Sequence, residues 1–403
     1  MHRGLVVGIA VLVAAGTGLA IVAGCGGHAA IAPPGPGGDA RFVGAEVCKA
    51  CHRNQHAAWT TTGHSDALAV LQAIGQGENP VCLSCHTVGF GQPTGYTSEA
   101  ETPQLANVQC ENCHGAGGNH VTNPAQNEMQ VRLEAELCGG CHQGFHHPTF
   151  EQWETSAHAE ALTNLKALPF ARDECLICHS AEAILASGEE VVLAVEQKKA
   201  ENGITCAACH DPHGSNNEAN LREPETDVCI HCHTSENALP GSTPHHPQRE
   251  MLLGLGGFEA NGVEAFGPNS EHTTAAHARC VTCHVYQLPN QQPTPENPLN
   301  TAHTFLPQIP EACEQCHTPD QAMIYMLEAQ TEIQGLLDAL APFFTSGSPQ
   351  YIDPTTLTPD QKAQYDIAKF NWQLVGAEGS RGVHNRDYAR HLLEVSQTIL
   401  AGL

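Results

Sequence analysis

The motif Cys-x-x-Cys-His constrains this chain more than any other feature, because it occurs nine times and contains eighteen of the nineteen cysteines. Within each copy, the two thiols can form thioether bonds to the two vinyl groups of one porphyrin. The imidazole that follows can reach the iron from the same turn of the chain. The pattern therefore predicts nine covalently bound haem c groups, at CKACH (48–52), CLSCH (82–86), CENCH (110–114), CGGCH (138–142), CLICH (175–179), CAACH (206–210), CIHCH (229–233), CVTCH (280–284) and CEQCH (313–317), which are numbered motifs one to nine.

Structural zinc, disulfides and thioredoxin-like redox pairs are the alternative explanations of paired cysteines. Zinc ribbons require no histidine after each second cysteine, and a disulfide framework would not place the cysteines in a single spacing. The expected haem-attaching residues are Cys48, Cys51, Cys82, Cys85, Cys110, Cys113, Cys138, Cys141, Cys175, Cys178, Cys206, Cys209, Cys229, Cys232, Cys280, Cys283, Cys313 and Cys316. The expected first axial ligands of the irons are His52, His86, His114, His142, His179, His210, His233, His284 and His317.

The composition agrees with an interior that is filled by porphyrin. Aromatic residues make up only 5 % of the chain, whereas there are 26 histidines. The 17 basic and 43 acidic residues give a formal charge of −26, which argues against nucleic acid as a partner and favours basic redox partner proteins. We therefore expect closely packed haems to form the core.

The first residues predict export. A basic start is followed by an almost wholly apolar stretch that ends in VAGC, as in a bacterial lipoprotein signal of residues 1–24 whose Cys25 becomes lipidated. The alternative is an uncleaved membrane anchor, since the stretch is about long enough to span a bilayer. Residues 25–45, which are rich in Pro and Gly, are predicted to be a flexible tether. The expected location is therefore periplasmic or on the cell surface, as a lipoprotein anchored to a membrane through Cys25.

The spacing of the motifs indicates an internal duplication. The first three motifs are offset from the next three by 90, 93 and 96 residues, and two Trp–His frames, WTTTGH (59–64) and WETSAH (153–158), are offset by 94. We expect two three-haem modules, 46–131 and 138–225, followed by haems seven to nine, within one nonahaem body of residues 46–319. Residues 320–403 form a separate C-terminal helical segment.

Three helices are predicted in this C-terminal segment. TPDQ occurs at 318–321 and again at 358–361, and combines a capping threonine, proline at the first helical position and glutamine three residues after the cap. Apolar residues at helical spacing follow each copy, and the second helix is predicted to end near Gly376. A third helix is predicted after Asn385.

The second axial ligand of each iron decides between an electron carrier and a reactive haem. Methionine is scarce, but sixteen histidines remain outside the motifs and His2. In each of the pairs His146/His147 and His245/His246, one histidine is expected to bind iron, and the sequence does not show which one. His28, His56 and His391 are expected to be solvated, and His231 lies between two attachment cysteines. The predicted distal ligands are His64, His120, His147, His158, His213, His245, His246, His277, His303 and His384.

Several stretches, among them CLSCHTVGFG, VQCENCHGAGGNH and HHPTFEQWETSAHAEAL, resemble the multihaem cytochrome c superfamily. The resemblance is greatest to the tetrahaem cytochrome that accepts electrons from hydroxylamine oxidoreductase, whose W-x-x-S-x-H frame matches Trp153–His158 fully and Trp59–His64 less well. The C-terminal GVHN helix is similar to that of nitrite reductases. The resemblance implies a mainly α and irregular fold, and distal haem ligation by His64 and His158. No CxxCK motif occurs, and no tyrosine lies in a frame that matches the crosslinked tyrosine of hydroxylamine oxidoreductase.

These features favour an exported, lipid-anchored nonahaem cytochrome that transfers electrons along mostly bis-His haems. One alternative is a multihaem oxidoreductase that acts on a small nitrogen or sulfur compound at a five-coordinate haem. Another is a subunit of an extracellular cytochrome filament. The sequence identifies neither the electron donor nor the acceptor.

Overall fold

The computed structural model describes residues 41–186, 200–236, 238–267, 270–274 and 280–403. The predicted signal segment, Cys25 and His277 lie outside these residues. In the described part of the chain, no helix combines the length and the apolar character that crossing a membrane requires.

The region that carries the motifs consists of short helices joined by irregular chain. Its α-helices, α1 to α16 in order, are Ala45–Cys48, Arg53–Trp59, Ala67–Ala73, Pro80–His86, Cys110–His114, Gly118–Thr122, Ala135–Gly139, Thr149–Glu154, Ala161–Ala167, Leu176–His179, Ala181–Leu185, Cys206–Cys209, Asp227–Ile230, Gln248–Leu253, Glu271–Thr274 and Cys280–His284. Single 3₁₀ turns occur at Gly63–Asp66, Pro103–Leu105, Asp173–Cys175 and Glu218–Asn220. The described sheet is minimal, with β1 (Gly257–Phe258) antiparallel to β2 (Glu264–Ala265) and Gly257 opposite Ala265. The mainly α and irregular fold class is confirmed.

Three longer helices close the chain, as predicted: α17 (Pro319–Phe344), α18 (Pro359–Glu378) and α19 (Arg386–Ala401). Both TPDQ copies form capping boxes, in which the threonine side chain and the glutamine three residues later each accept from the other's backbone N–H. Helix α18 ends two residues later than predicted, because Gly379 has the left-handed φ of 88° that terminates a helix.

The largest apolar core lies in this C-terminal segment rather than among the motifs. It is built from α17 to α19 and includes the fully buried Ile333, Phe370 and Leu392. The buried clusters around the motifs are smaller. Exposed apolar side chains lie beside the second motif (Val81), before the fifth motif (Phe170) and within it (Ile177). This distribution is what a chain requires when its interior near the motifs is completed by porphyrin rather than by side chains.

The C-terminal helices also hold part of the motif region in place. The Tyr388 hydroxyl accepts from the Gly257 backbone N–H and donates to the Ala265 carbonyl, each at 2.8 Å. The Asn371 amide bonds both the N–H and the carbonyl of Phe258, at 2.9 and 2.7 Å. Strand β1 is therefore fixed to α18 and α19.

Candidate haem sites

Each motif adopts about one turn of helix, which gives its side chains a common direction. The backbone N–H of the motif histidine bonds the carbonyl of the first cysteine at 2.9 Å in motifs one, four, six and nine. Residues three and four apart lie on one face of a helix. The two thiols and the imidazole of one motif can therefore meet the same porphyrin.

Histidines that are distant in sequence lie opposite the motif histidines. Among the described residues, seven motif histidines have such a partner, with ring centres 6.0 to 6.3 Å apart. The pairs are His52 with His120, His114 with His213, His142 with His64, His179 with His245 and equally with His246, His210 with His303, His233 with His158, and His284 with His384.

The separation fits an iron between the two rings of each pair. A metal–imidazole bond is about 2 Å long, so two imidazoles on opposite sides of one metal have ring centres roughly 6 Å apart. The donor set is also correct, since a His/His pair is a standard axial ligation of haem iron. The residues present therefore fit haem c.

Hydrogen bonds at Nδ1 orient these rings. The Nδ1 atoms of seven histidines lie 2.6 to 3.3 Å from backbone carbonyl oxygens, which selects the tautomer that donates from Nδ1 and leaves Nε2 free for a metal. The histidines are His86, His114, His120, His179, His210, His284 and His303.

Burial keeps several of the facing imidazoles neutral. Burial first, and then His64, lower the pKa of His142 to about 4. Burial and then His233 lower the pKa of His158 to about 4, and burial and then His245 do the same for His246. A neutral imidazole offers the nitrogen lone pair that a metal requires.

His384 differs because its Nδ1 contacts the carboxylate of Glu378, whose side chain is 1 % exposed. Burial alone would lower the pKa of His384, but the hydrogen bond and the charge of Glu378 raise it above its ordinary value. Nothing in the sequence singles out Glu378, because it is one acidic residue among 43 and lies six positions before the histidine.

The two Trp–His frames occupy equivalent positions. Trp59 Nε1 donates to the carbonyl of Val108 at 2.9 Å, and Trp153 Nε1 donates to that of Ile204 at 2.8 Å. Both acceptors lie two residues before the first cysteine of the third motif in their module. Each tryptophan thus fixes its frame to the chain that enters that motif, a role that the sequence alone did not indicate.

The histidines of the two frames face motifs outside the module in which they lie. His64 faces His142 of motif four, and His158 faces His233 of motif seven. His213 and His303 face earlier motifs, His213 motif three and His303 motif six. Within each of these two sets, the motif that is faced moves by three motifs from the first histidine to the second.

The two His-His-Pro segments obey the same shift. His147 lies 6.2 Å from His142 at 81°, and His246 lies 5.5 Å from His233 at 75°. Burial, then His86 of motif two and His146, lower the pKa of His147. The His246 ring lies 6.1 Å from that of His179 in motif five. His246 is thus the counterpart of His147, which interacts with His86 of motif two.

The effects of motif thiols on one another's pKa indicate which motifs are neighbours. A thiol of one motif shifts the pKa of a thiol in another for motifs one and three, two and four, four and six, five and seven, and seven and eight. Effects of charge alone connect motif three to four, six to seven and eight to nine. The motifs therefore form the row one, three, four, six, seven, eight, nine, with two beside four and five beside seven.

Two residues depart from the expectations. His56 was expected to be solvated and is instead 6 % exposed, because it packs against Trp59 with ring centres 5.4 Å apart. The His317 ring of motif nine lies 5.6 Å from that of Tyr325 on α17, which the sequence did not suggest.

Comparison with known proteins places these features in context. Residues 47–115 and 137–211 match the family of cytochrome c554 and c-prime, and residues 198–238 match a doubled CXXCH motif. Over 96 residues the chain is 36 % identical to cytochrome c-554 of Nitrosomonas europaea. This matched region is 20 % of this chain and 41 % of that protein. Over 192 residues it is 26 % identical to the multiheme cytochrome MtrA of Shewanella baltica. This matched region is 42 % of this chain and 56 % of that protein.

The structure resembles that of the outer cell wall cytochrome OcwA, with a TM-score of 0.69 and 22 % identity over 89 % of this chain and 99 % of that one. This similarity shows that the two chains share a fold. The chain spans about half the length of the two curated relatives.

Proposed function

Since the chain is a multihaem c-type cytochrome with cytochrome c554-like sequence over residues 47–115 and 137–211, we propose that it is an exported, lipid-anchored nonahaem protein. Its function is to pass electrons between redox partner proteins. Each bound haem supplies one-electron chemistry at its iron. The protein's own residues attach the haems, select their axial ligands and exclude other ligands.

The observation that carries the proposal is the set of seven histidine pairs with ring centres 6.0 to 6.3 Å apart. Two histidine ligands leave an iron without a position for substrate, which favours a carrier over an enzyme. By the displacement of three motifs, we assign His147 to haem two and His246 to haem five. Of the predicted distal ligands, His277 then remains for haem nine.

The attachment and location follow from the amino terminus. Residues 1–24 are proposed to be removed, and a lipid on Cys25 then holds the protein at a membrane surface. The name of OcwA refers to an outer cell wall, which supports export of a chain with this fold.

Intact-mass spectrometry of the protein produced with haem-maturation machinery tests the proposal, because one spectrum gives the haem number, the first residue and the lipid. We expect nine haems on a chain that begins at lipidated Cys25. A mass that corresponds to eight haems or fewer would contradict the nonahaem assignment.

Low-temperature electron paramagnetic resonance (EPR) of the oxidised protein tests the carrier assignment. Nine low-spin ferric haems are expected. A high-spin signal from one full haem would instead favour the oxidoreductase. The variant His277→Ala is expected to contain one low-spin haem fewer than the unsubstituted protein, which would support His277 as the ligand of haem nine. An unchanged spectrum for His277→Ala would overturn its assignment.

A further inference from the structure

The carboxylate of Glu378 is buried against Nδ1 of His384. The His384 and His284 ring centres lie 6.1 Å apart, and the contact of Nδ1 with Glu378 leaves Nε2 of His384 for the haem eight site. The Glu378 side chain is 1 % exposed, which removes most of the solvent screening of its charge.

This arrangement differs from that of the other described ligand candidates. Seven of them bond a neutral backbone carbonyl at Nδ1. His213 also faces a carboxylate, that of Asp211 at 3.3 Å, but Asp211 is 29 % exposed and lies 3.4 Å from Arg222. Glu378 therefore supplies the most deeply buried carboxylate among these contacts.

Neighbouring residues hold the carboxylate in this orientation. The backbone N–H and the hydroxyl of Ser380 donate to its other oxygen, Oε2, at 3.0 and 2.8 Å. The Gln248 amide nitrogen donates to the Glu378 backbone carbonyl at 3.1 Å, and its oxygen lies 3.2 Å from Nδ1 of His233. Glu378 thus bonds His384 through its side chain, and through its backbone carbonyl and Gln248 it is linked to His233, a ligand candidate of haem seven.

A carboxylate that accepts the Nδ1 proton makes the imidazole more electron-donating than a carbonyl does. A more basic axial ligand stabilises ferric over ferrous iron and lowers the reduction potential. We propose that Glu378 is a positioning residue that holds the Nδ1 proton of His384 and thereby makes haem eight one of the lowest-potential haems of the protein. This inference rests on the proposed function only in assigning His384 to haem eight.

Glu378→Gln tests the inference, because glutamine keeps the size and an acceptor oxygen but removes the charge. In a potentiometric titration followed by visible and EPR spectroscopy, we expect one of the lowest midpoint potentials to move upward. One low-spin EPR signal should change, while the other eight haems stay as they were.

Glu259→Gln is the matched control. The Glu259 carboxylate also contacts a histidine, His391, at 2.7 Å, but His391 faces no motif histidine among the described contacts. The substitution removes the same charge near α19 and should leave every midpoint unchanged. Glu378→Asp should restore most of the low potential. If the Gln variant does not fold, Ser380→Ala, which loses one bond that orients the carboxylate, should give a smaller upward shift.

The inference is overturned if Glu378→Gln and Glu259→Gln titrate alike, or if Glu378→Asp shifts the potential as far as Glu378→Gln. Nine haems and an unchanged titration would reject this inference alone. A haem count below nine in the unsubstituted protein would instead reject the proposed function.

Discussion

At the scale of single residues, His245 and His246 show how a repeat can resolve an ambiguity that distance leaves open. Both ring centres lie 6.1 Å from that of His179. His246 is less exposed than His245 and lies beside His233 of motif seven, as His147 lies beside His142 three motifs earlier. The repeated geometry therefore favours His246 as the ligand of haem five.

We expect His246→Ala to convert one haem from low-spin to high-spin, because the ligand is removed and alanine cannot replace it. The adjacent His245→Ala is the matched control and should leave all haems low-spin. EPR of the oxidised proteins measures both. A high-spin signal in His245→Ala but not in His246→Ala would reverse the assignment.

At the scale of elements, α17 and α19 are joined by an ion-pair network on one side of the C-terminal core. Glu332 of α17 contacts the Nε atoms of both Arg386, at 2.6 Å, and Arg390 on α19. Arg390 first, and then Arg386, lower the pKa of Glu332 to about 2, against the opposing effect of burial. The network supports α19, and the residues just before α19 carry His384.

We expect Glu332→Gln to weaken the packing of α19 on α17 by about 1 kcal/mol at pH 7, since the pair is partly exposed and screened. The folded-state pKa is lowered, so the ion pairs contribute fully above the ordinary pKa of 4.5 and are lost as the pH falls towards 2. Amide hydrogen exchange of α19 should therefore be faster in the variant at pH 7, and the difference should shrink on acidification.

Glu328→Gln is the control for this prediction, because Glu328 is 57 % exposed and lies 3.7 Å from Arg386. It should have little effect on exchange. A difference between Glu332→Gln and the unsubstituted protein that persists unchanged to pH 2 would show that the charge of Glu332 is not the cause.

At the scale of the whole molecule, a formal charge of −26 accompanies nine haem-attachment motifs. A large net charge steers encounters with partners of opposite charge, and salt screens this attraction. With a basic redox partner protein, we expect the second-order rate of electron transfer to fall as ionic strength rises.

Stopped-flow reduction at several salt concentrations measures this dependence, with an acidic partner of similar potential as the control, for which the rate should rise with salt. A rate with the basic partner that does not depend on salt would contradict electrostatic steering.

Size analysis of the secreted protein tests the filament alternative, which requires assemblies larger than discrete particles.

The sequence by itself indicates where haems attach, which histidine follows each attachment and where the last three helices begin. These features are local: a motif spans five residues, and a capping box spans four. The distal histidines could be nominated by type and frame, as His64 and His158 were, but the iron that each one faces could not. His64 and His142 are 78 residues apart, and His284 and His384 are 100 apart. Only the tertiary structure decides such pairings, the order of the motifs in space and the contact of Glu378 with His384, because each depends on segments that come together after the chain has folded.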